Sequence, residues 1–266
     1  EITTRLVGSE MCIRDRGWLL NYESWLRAKG NKETTISIQF RTLRSVYNKA
    51  IKRKCVGKEY YPFEDFHINK FNVHTDKRAI SKNDVLKIIS ADLTGKSEYV
   101  KFSRDIFVFS YLCGGINFCD VASLTKENIL NGRLFYVRQK TGKQINLCLT
   151  KNASAIIDKY YKGGKGFLFP ILDVTRHITA TQRENRLHKV LGQVDKSLKI
   201  VAQIAKVDVN LTTYVARHSY ATVLKRSGVP TSIICESLGH SSERVTQIYL
   251  DSFENEQIDE AMKNLL

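Results

Sequence analysis

The spacing of the apolar residues constrains the fold of this chain most, because it follows the 3.6-residue period of an α-helix almost throughout. The exception is the stretch 127–149, where Asn131-Gly132 is a strong two-residue hairpin signal and a second turn follows at 140–142. This pattern predicts a mainly α-helical protein that carries one small antiparallel β-sheet. The predicted strands cover about 127–130, 133–139 and 143–149.

Capping signals and breakers divide the rest of the chain into helices of ordinary length. Ser81 followed by Asp84 predicts an N-cap with an acidic residue in the first helical turn. Pro62, together with alternating aromatic and polar residues, makes the stretch 60–76 irregular, and we predict a linker there. The predicted helices cover 18–30, 34–54, 81–89, 99–112, 117–124, 152–162, 182–206, 212–227, 230–238, 242–250 and 254–265.

The predicted linker divides the chain into two domains. A small helical domain over 17–74 precedes a larger helical domain over 75–266, which carries the sheet. The first residues, 1–16, lack the apolar core of a signal peptide, and VGSEMCIRDR resembles translated sequencing-adapter text. We therefore expect 1–16 to be a non-native or disordered lead-in.

The charge balance indicates the class of partner. The chain has 42 lysines and arginines against 27 aspartates and glutamates, which gives a net charge of +15. Such an excess on a well-folded chain predicts a polyanionic partner, first of all nucleic acid, with a soluble basic enzyme as the alternative. The longest apolar run is far too short to span a membrane, so we expect no membrane partner.

Several common functional motifs do not occur in this sequence. The six cysteines contain no Cys-x-x-Cys pair and do not suggest a secreted disulfide scaffold, so we expect reduced thiols in a cytoplasm. Gly-rich phosphate loops, His-Glu-x-x-His zinc motifs and Gly-x-Ser-x-Gly elbows are also missing. A nucleotide-hydrolysing motor, a zinc protease and an α/β hydrolase therefore lose their main support, and we expect no metal and no cofactor.

The second predicted helix carries charge of one sign. Between 39 and 58 the chain has seven basic residues and no acidic residue. A solvated helix face normally mixes the two signs, because like charges repel at spacings of three and four residues. We therefore predict that this face lies along DNA phosphates, with an ordinary basic surface helix as the alternative. The predicted DNA-binding residues are Arg41, Arg44, Lys49 and Lys52.

A cluster near the C-terminus carries the predicted chemistry. It reads LTTYVARHSYATVLKRSGVP and then TSIICESLGHSSERVTQIYLDSF, so that an Arg-His-Ser run precedes Leu-Gly-His and a later tyrosine. In these residues the chain resembles the tyrosine recombinases of the phage integrase family, most of all integrases of conjugative transposons and similar mobile elements of Bacteroidetes-type bacteria. The resemblance runs from about 18 to 266 and implies a SAM-like core-binding domain followed by the DNA breaking–rejoining catalytic fold.

The resemblance implies a role for each matching residue. Tyr249 matches the nucleophile, which forms a 3′-phosphotyrosyl link and releases a 5′-hydroxyl. Arg217 and His240 match donors to the scissile phosphate. Lys140 matches the lysine that protonates the leaving 5′-oxygen, with Lys143 as its competitor.

Other positions match less simply. Asp120 matches the acidic residue that orients the site, and His218 matches a residue that often assists, with helix packing as the alternative. Tyr214 stands where the family usually has histidine, and Gly114 stands at the expected position of the first catalytic arginine. No basic residue lies between 104 and 126, and losing one donor to a developing oxyanion costs about 100–1,000-fold. We therefore expect impaired cleavage with the fold and DNA grip retained.

The resemblance also implies the partners and the reaction. We expect integration or excision of a mobile element on double-stranded DNA, by a homotetramer on synapsed sites that is a monomer without DNA. An accessory DNA-bending or excision factor is a further possible partner, and the place of action would be the nucleoid in a bacterial cytoplasm. We expect the polar helix at 253–266 to dock onto a neighbouring protomer, with folding back in cis as the alternative.

Three other functions compete with this prediction. The first is a catalytically degenerate recombinase that only binds DNA, which Gly114 favours. The second is a type IB topoisomerase or hairpin-telomere resolvase, which would use the same catalytic residues. The third is a basic metal-dependent nuclease, although the chain shows no clustered carboxylates of the required kind.

Overall fold

The computed structural model describes residues 16–58, 61–73, 78–164, 166–247 and 250. The predicted lead-in, apart from residue 16, lies outside the described residues, and so do Tyr249 and the predicted helix at 253–266. The chain divides into two compact units, Glu1–Asp76 and Lys77–Leu266. Each unit is described by itself below.

Unit 1 is helical and closes around aromatic side chains. Its helices are α1 (Arg16–Ala28) and α2 (Glu33–Lys52), followed by a 3-10 turn at Ile68–Lys70. Phe40 of α2 is fully buried, and its ring stacks on Phe66 at 4.7 Å and on Phe71 at 5.4 Å between ring centroids. The stretch predicted as a linker is thus irregular but contributes to the core, because its aromatic residues supply the apolar surface that two short helices lack.

Unit 2 packs most of its helices around a large apolar core, and a second, smaller apolar cluster lies around Ile234 and Leu238. The N-cap predicted at Ser81 is confirmed, since its hydroxyl accepts a hydrogen bond from the Asp84 amide at 3.1 Å. The central helix, α4, packs against α3, α6, α7 and α8 and buries Phe107 and Phe109. The helices are α3 (Lys82–Ser90), α4 (Glu98–Leu112), α5 (Phe118–Ser123), α6 (Lys151–Tyr160), α7 (Ala180–Ile204), α8 (Thr213–Arg226), α9 (Thr231–Ser237) and α10 (Glu243–Gln247).

The sheet confirms the predicted meander. Strands β1 (Ile129–Leu130), β2 (Arg133–Val137) and β3 (Gln144–Cys148) pair antiparallel in the order β1-β2-β3. Asn131 and Gly132 both have positive φ, as a two-residue hairpin requires. The mainly helical fold with one small antiparallel sheet is therefore confirmed.

A helix that spans a membrane needs about 20 consecutive, mainly apolar residues. Within the described ranges, no helix is both long enough and apolar enough to span a membrane.

Candidate active site

Arg217 is the most deeply buried cation of the predicted site. It lies in the second turn of α8, and only 2% of its surface is exposed. Its guanidinium donates to the carbonyl oxygen of Gly115 at 2.8 Å and to that of Leu238 at 2.5 Å. A buried charge is tolerated only when it is hydrogen-bonded, and backbone carbonyls from two separate segments meet that need here.

Gly115 is required by the close approach of α8. Its φ is +64°, and a Cβ atom built on it would lie 2.8 Å from the Cα atom of Arg217. Any side chain at this position would displace α8, so the glycine fixes where the Arg217 guanidinium lies.

His240 forms a buried pair with Arg217. Its Nε2 atom lies 3.0 Å from an Nη atom of Arg217, and its Nδ1 atom lies 2.9 Å from Oγ1 of Thr246. A guanidinium can only donate, so Nε2 accepts and the proton of a neutral imidazole is assigned to Nδ1. Burial lowers the pKa of His240 to about 3, with further contributions from nearby cations, of which Arg217 is the largest.

Arg138 is a site residue that the sequence reasoning missed. It follows β2, is almost fully buried, and donates from Nη1 to the carbonyl oxygen of Gly239 at 2.7 Å. The guanidinium groups of Arg138 and Arg217 therefore bind the carbonyls of consecutive residues in the loop before His240. Strand periodicity carried a signal for it, because Leu134 and Tyr136 face inward and position 138 continues that face.

Asp120 lies within electrostatic range of both Arg138 and Arg217. Its Oδ1 atom accepts from the backbone amide of Gln139 at 3.0 Å, and its Oδ2 atom is buried without a hydrogen-bond partner among the described residues. Burial raises the pKa of Asp120, and the Gln139 amide, Arg138 and Arg217 act in the opposite direction. The carboxyl group thereby attaches α5 to the residues that follow β2, and the orienting role of Asp120 stays a prediction.

Lys140 lies in the turn between β2 and β3, as predicted. The turn is attached to the loop before His240 by a hydrogen bond from the Thr141 hydroxyl to the Gly239 carbonyl, at 3.1 Å. Lys140 and Lys143 both lower the pKa of His240, so both charges lie within electrostatic range of the imidazole. The structure brings both lysines near the site and does not choose between them.

Tyr214 and His218 pack against each other on α8. Their ring centroids lie 4.7 Å apart in a T-shaped arrangement. His218 is buried, whereas 43% of the Tyr214 surface is exposed. Tyr214 borders a cavity of about 740 Å³ that is also lined by Arg217, Asn117, Gln139 and residues of α7. Its phenol faces the space beside the buried arginine rather than the core.

The geometry of Gly114 conflicts with the expectation that an arginine belongs there. Its φ is +71°, and a Cβ atom built on it would lie 2.7 Å from Cδ1 of Leu147 and 3.3 Å from the Ser237 carbonyl oxygen. Asn117, the N-cap residue of α5, instead lines the cavity together with Arg217. Within this segment, Asn117 is the better candidate for a position from which a longer side chain could reach the site.

The four predicted DNA-binding residues lie in unit 1, and all four are exposed. No ion pair involves any of the four within the part of the chain that the structure describes. The four are Arg41, Arg44, Lys49 and Lys52, all on α2.

The predicted nucleophile cannot be placed relative to this cluster, because Tyr249 lies outside the described residues. Among the described residues, no group of three or more His, Cys, Asp or Glu side chains could hold a metal ion.

The helical units and the buried arginine–histidine cluster have the architecture of a DNA-recombinase catalytic fold with a SAM-like domain before it. The family model "Phage integrase family" matches residues 78–256, and "Phage integrase SAM-like domain" matches residues 15–72. The chain therefore belongs to the phage integrase family of tyrosine recombinases.

Two curated relatives agree with this assignment. Tyrosine recombinase XerA of Pyrococcus horikoshii is 26% identical over 72% of this chain and 65% of its own length. Tyrosine recombinase XerD of Halalkalibacterium halodurans is 24% identical over 88% of this chain and 76% of its own length. The chain thus spans slightly less than two thirds of the first relative.

Solved structures share the fold. The Tn1549 transposon integrase in complex with a circular intermediate DNA has a TM-score of 0.64 at 16% identity, over 94% of this chain and 85% of that one. A lambda integrase tetramer bound to a Holliday junction has a TM-score of 0.62 at 15% identity, over 89% of this chain and 64% of that one.

Proposed function

We propose that this protein is a site-specific DNA recombinase that cuts and rejoins DNA through a phosphotyrosine intermediate. The observation that carries the proposal is the buried pair of Arg217 and His240, with Arg138 bound to the same loop. Two guanidinium groups and an imidazole at one loop suit a phosphate with developing negative charge. Membership in the tyrosine recombinase family supports the reaction type.

The proposed reaction exchanges one phosphodiester for another. The phenol of Tyr249 loses its proton to solvent as its oxygen attacks the phosphorus, the bond to the 5′-oxygen breaks, and Lys140 or Lys143 gives that oxygen a proton. The 5′-hydroxyl of a second strand then attacks the phosphotyrosine and returns its proton to the lysine, and the departing phenolate takes up a proton from solvent. No water or nucleotide is consumed, because the phosphotyrosine bond conserves the free energy of the phosphodiester bond that was broken.

Arg217 and His240 hold several hydrogen bonds within the protein. Arg217 donates to two carbonyls and to Nε2 of His240. A scissile phosphate must replace at least one of these acceptors, and His240 must bring a proton to the phosphate side in order to donate. We propose that DNA binding drives this rearrangement, which keeps the site inactive until a substrate is present.

We further propose that Arg138 provides the second guanidinium that the segment around Gly114 lacks. It is buried at the same loop as Arg217, and its Nε atom has no hydrogen-bond partner among the described residues. This Nε atom is also buried, so it would gain a hydrogen bond only if DNA binding opened the loop to a phosphate oxygen. This assignment favours an active enzyme over an inactive one.

The proposed substrate is double-stranded DNA at the ends of a mobile element such as a conjugative transposon. The solved integrases with this fold include complexes with DNA and a tetramer on a Holliday junction. We propose the same stoichiometry here, with four copies on two synapsed sites, a monomer without DNA, and action on the nucleoid in a bacterial cytoplasm. An accessory DNA-bending or excision factor belongs to the same proposal.

The second candidate function is DNA binding without cleavage. It is favoured by the segment 113–124, which has no basic residue and in which Asn117 rather than a cation lines the cavity beside Arg217. The two candidates differ in one product, the covalent protein–DNA complex.

The deciding experiment is covalent trapping on nicked duplexes of randomised sequence, followed by denaturing electrophoresis. A recombinase gives a protein–DNA adduct that persists in EDTA and disappears in Tyr249→Phe. Salt-sensitive binding without an adduct would establish the second candidate instead. Relaxation of supercoiled plasmid without a partner site would indicate a topoisomerase, and EDTA-sensitive cleavage would indicate a metal-dependent nuclease.

A further inference from the structure

Helix α2 exposes an apolar ridge beside its row of basic residues. The α2 ridge consists of Ile38, Thr42 and Val46, which follow one another at intervals of four residues and so line up along the helix. Ile38 is 59% exposed and Val46 is 58% exposed. Large apolar side chains that remain this accessible at regular spacing indicate a contact surface rather than core.

Thr42 contributes a methyl group to this ridge. Its hydroxyl donates to the Ile38 carbonyl oxygen at 3.0 Å, within the helix. Because the hydroxyl is bound to the backbone, the outward group of this exposed residue is the methyl. The α2 ridge is therefore apolar along its whole length.

The flanking charges decide which kind of partner the α2 ridge fits. Arg41, Arg44, Lys49 and Lys52 are all exposed, and none forms an ion pair within the described part of the chain. A second copy of this chain would bring the same positive charge against them. The complementary partner is a polyanion that presents apolar groups beside a row of phosphates.

The major groove of DNA has this chemistry. It admits an α-helix, and the 5-methyl group of each thymine is the apolar group on its floor. Successive ridge residues are separated by about 6 Å along the helix axis, at 1.5 Å per residue. Bases two steps apart on one strand are separated by about 6.8 Å, at 3.4 Å per step. The two spacings are close enough for adjacent contacts.

We propose that the α2 ridge reads pyrimidine 5-methyl groups in the major groove while the flanking cations bind the phosphates. This inference rests on the proposed function, since it assumes DNA as the partner, and it adds a residue-level basis for sequence preference. Each methyl group that the ridge covers strengthens binding about fourfold, which corresponds to the burial of one CH₂ group.

The test compares short duplexes that differ only in 5-methyl groups. One pair has alternating A·T base pairs with either dT or dU, and the other has alternating G·C base pairs with either 5-methyl-dC or dC. Binding of the full chain is measured at a fixed salt concentration and over a salt series. We expect tighter binding to the methylated member of both pairs, with the same salt slope for each member.

Substitutions on α2 then test which residues recognise the methyl groups. Ile38→Ala and Val46→Ala shorten the ridge with a good helix former, and Thr42→Ser removes one methyl group but keeps the hydroxyl bond to Ile38. Each should lower the ratio of methylated to unmethylated affinity and leave the salt slope unchanged. Leu86→Ala, at an exposed apolar residue of α3, is the matched control and should not alter the ratio.

Three results would overturn the inference. They are equal affinity for both members of each pair, a methyl preference that survives all three ridge variants, and ridge variants that change self-association in sedimentation without changing the preference. None of these touches the proposed function. That proposal fails separately, if the chain binds no duplex in a salt-dependent manner.

Discussion

At the scale of single residues, the buried polar groups explain how this site is built. Arg217, Arg138 and His240 are charged or polar side chains that the fold removes from water. Each is held by a backbone carbonyl or by a neighbouring side chain, since leaving such a group unpaired would cost several kcal/mol. The bonds that satisfy them also place them around one loop, so satisfying the hydrogen bonds and positioning the catalytic groups are the same requirement.

We expect Arg138→Ala to slow formation of the phosphotyrosine adduct by about 100–1,000-fold, because it removes one preorganised donor to the phosphate. DNA affinity at low salt should change much less. The matched control is Arg133→Ala on the same strand, whose exposed guanidinium bonds to Asn146. An adduct rate for Arg138→Ala equal to that of the unmodified chain would rule out this role.

Two arginine substitutions should behave in opposite ways. Gly114→Arg forces a side chain onto a φ of +71° and against Leu147, so it should destabilise the fold by about 1–3 kcal/mol. Asn117→Arg extends into a cavity beside Arg217, so the chain should stay folded and form adduct faster. Thermal unfolding and single-turnover trapping check both; a stable, faster Gly114→Arg would refute this view of the segment.

The stability of the protein should depend on pH through His240. Its pKa is about 3 in the folded state and about 6.5 when unfolded, so below 6.5 the unfolded chain binds more protons. Stability from this group is therefore complete above pH 6.5 and is lost as the pH falls towards 3. The slope is at most about 1.4 kcal/mol per pH unit. Urea unfolding at several pH values measures this slope for the chain and for His240→Gln. If the unfolding free energy of both depends on pH equally, His240 is not the group responsible.

At the scale of elements, α8 and the β2–β3 hairpin carry the site, and α2 carries the basic surface. Tyr214 and Arg217 of α8 both line the cavity, and Arg217 is buried while Tyr214 is half exposed. The hairpin is joined to the loop before His240 by Arg138 and Thr141. If the hairpin moves, Arg138, Lys140 and Lys143 therefore move together.

The cations of α2 should determine the salt dependence of DNA binding. Arg41→Gln and Lys52→Gln each remove one phosphate contact, so each should reduce the slope of log affinity against log salt by about 0.9. Lys101→Gln is the control, because Lys101 is already paired with Glu98 at the surface of unit 2. If the two α2 variants leave the slope unchanged, α2 does not lie along the phosphate backbone.

At the scale of the whole molecule, each unit has its own core. Unit 1 closes around Phe40 and the aromatic residues of the stretch 61–73, and unit 2 closes around α4. Each unit therefore has the hydrophobic core that defines a structural domain.

We expect the assembly state to change with DNA. Sedimentation of the chain alone should give a monomer, and addition of nicked duplexes should give a species with four copies and two duplexes. The unmodified chain and Tyr249→Phe should assemble equally, since the proposed assembly does not require the phenol to react. A tetramer that forms fully without DNA would contradict the proposed assembly.

The sequence by itself determined the helical class, the three-stranded meander and the family. These depend on local periodicity, on turn residues such as Asn131-Gly132, and on a short motif around Arg217 and His240, all of which are readable over a few residues. The same local reasoning treated 60–76 as a linker, because a sequence pattern does not reveal which aromatic residues will meet a distant helix.

Only the tertiary structure decided what surrounds the proposed phosphate site. Arg138 is separated by 79 positions from Arg217 (217 − 138), and nothing local indicates that both guanidinium groups bind consecutive carbonyls of one loop. The structure likewise showed that an arginine does not fit at position 114, because the backbone φ there is positive and Leu147 lies close to it. Such contacts depend on how separate elements pack, and packing is a property of the folded chain rather than of any segment within it.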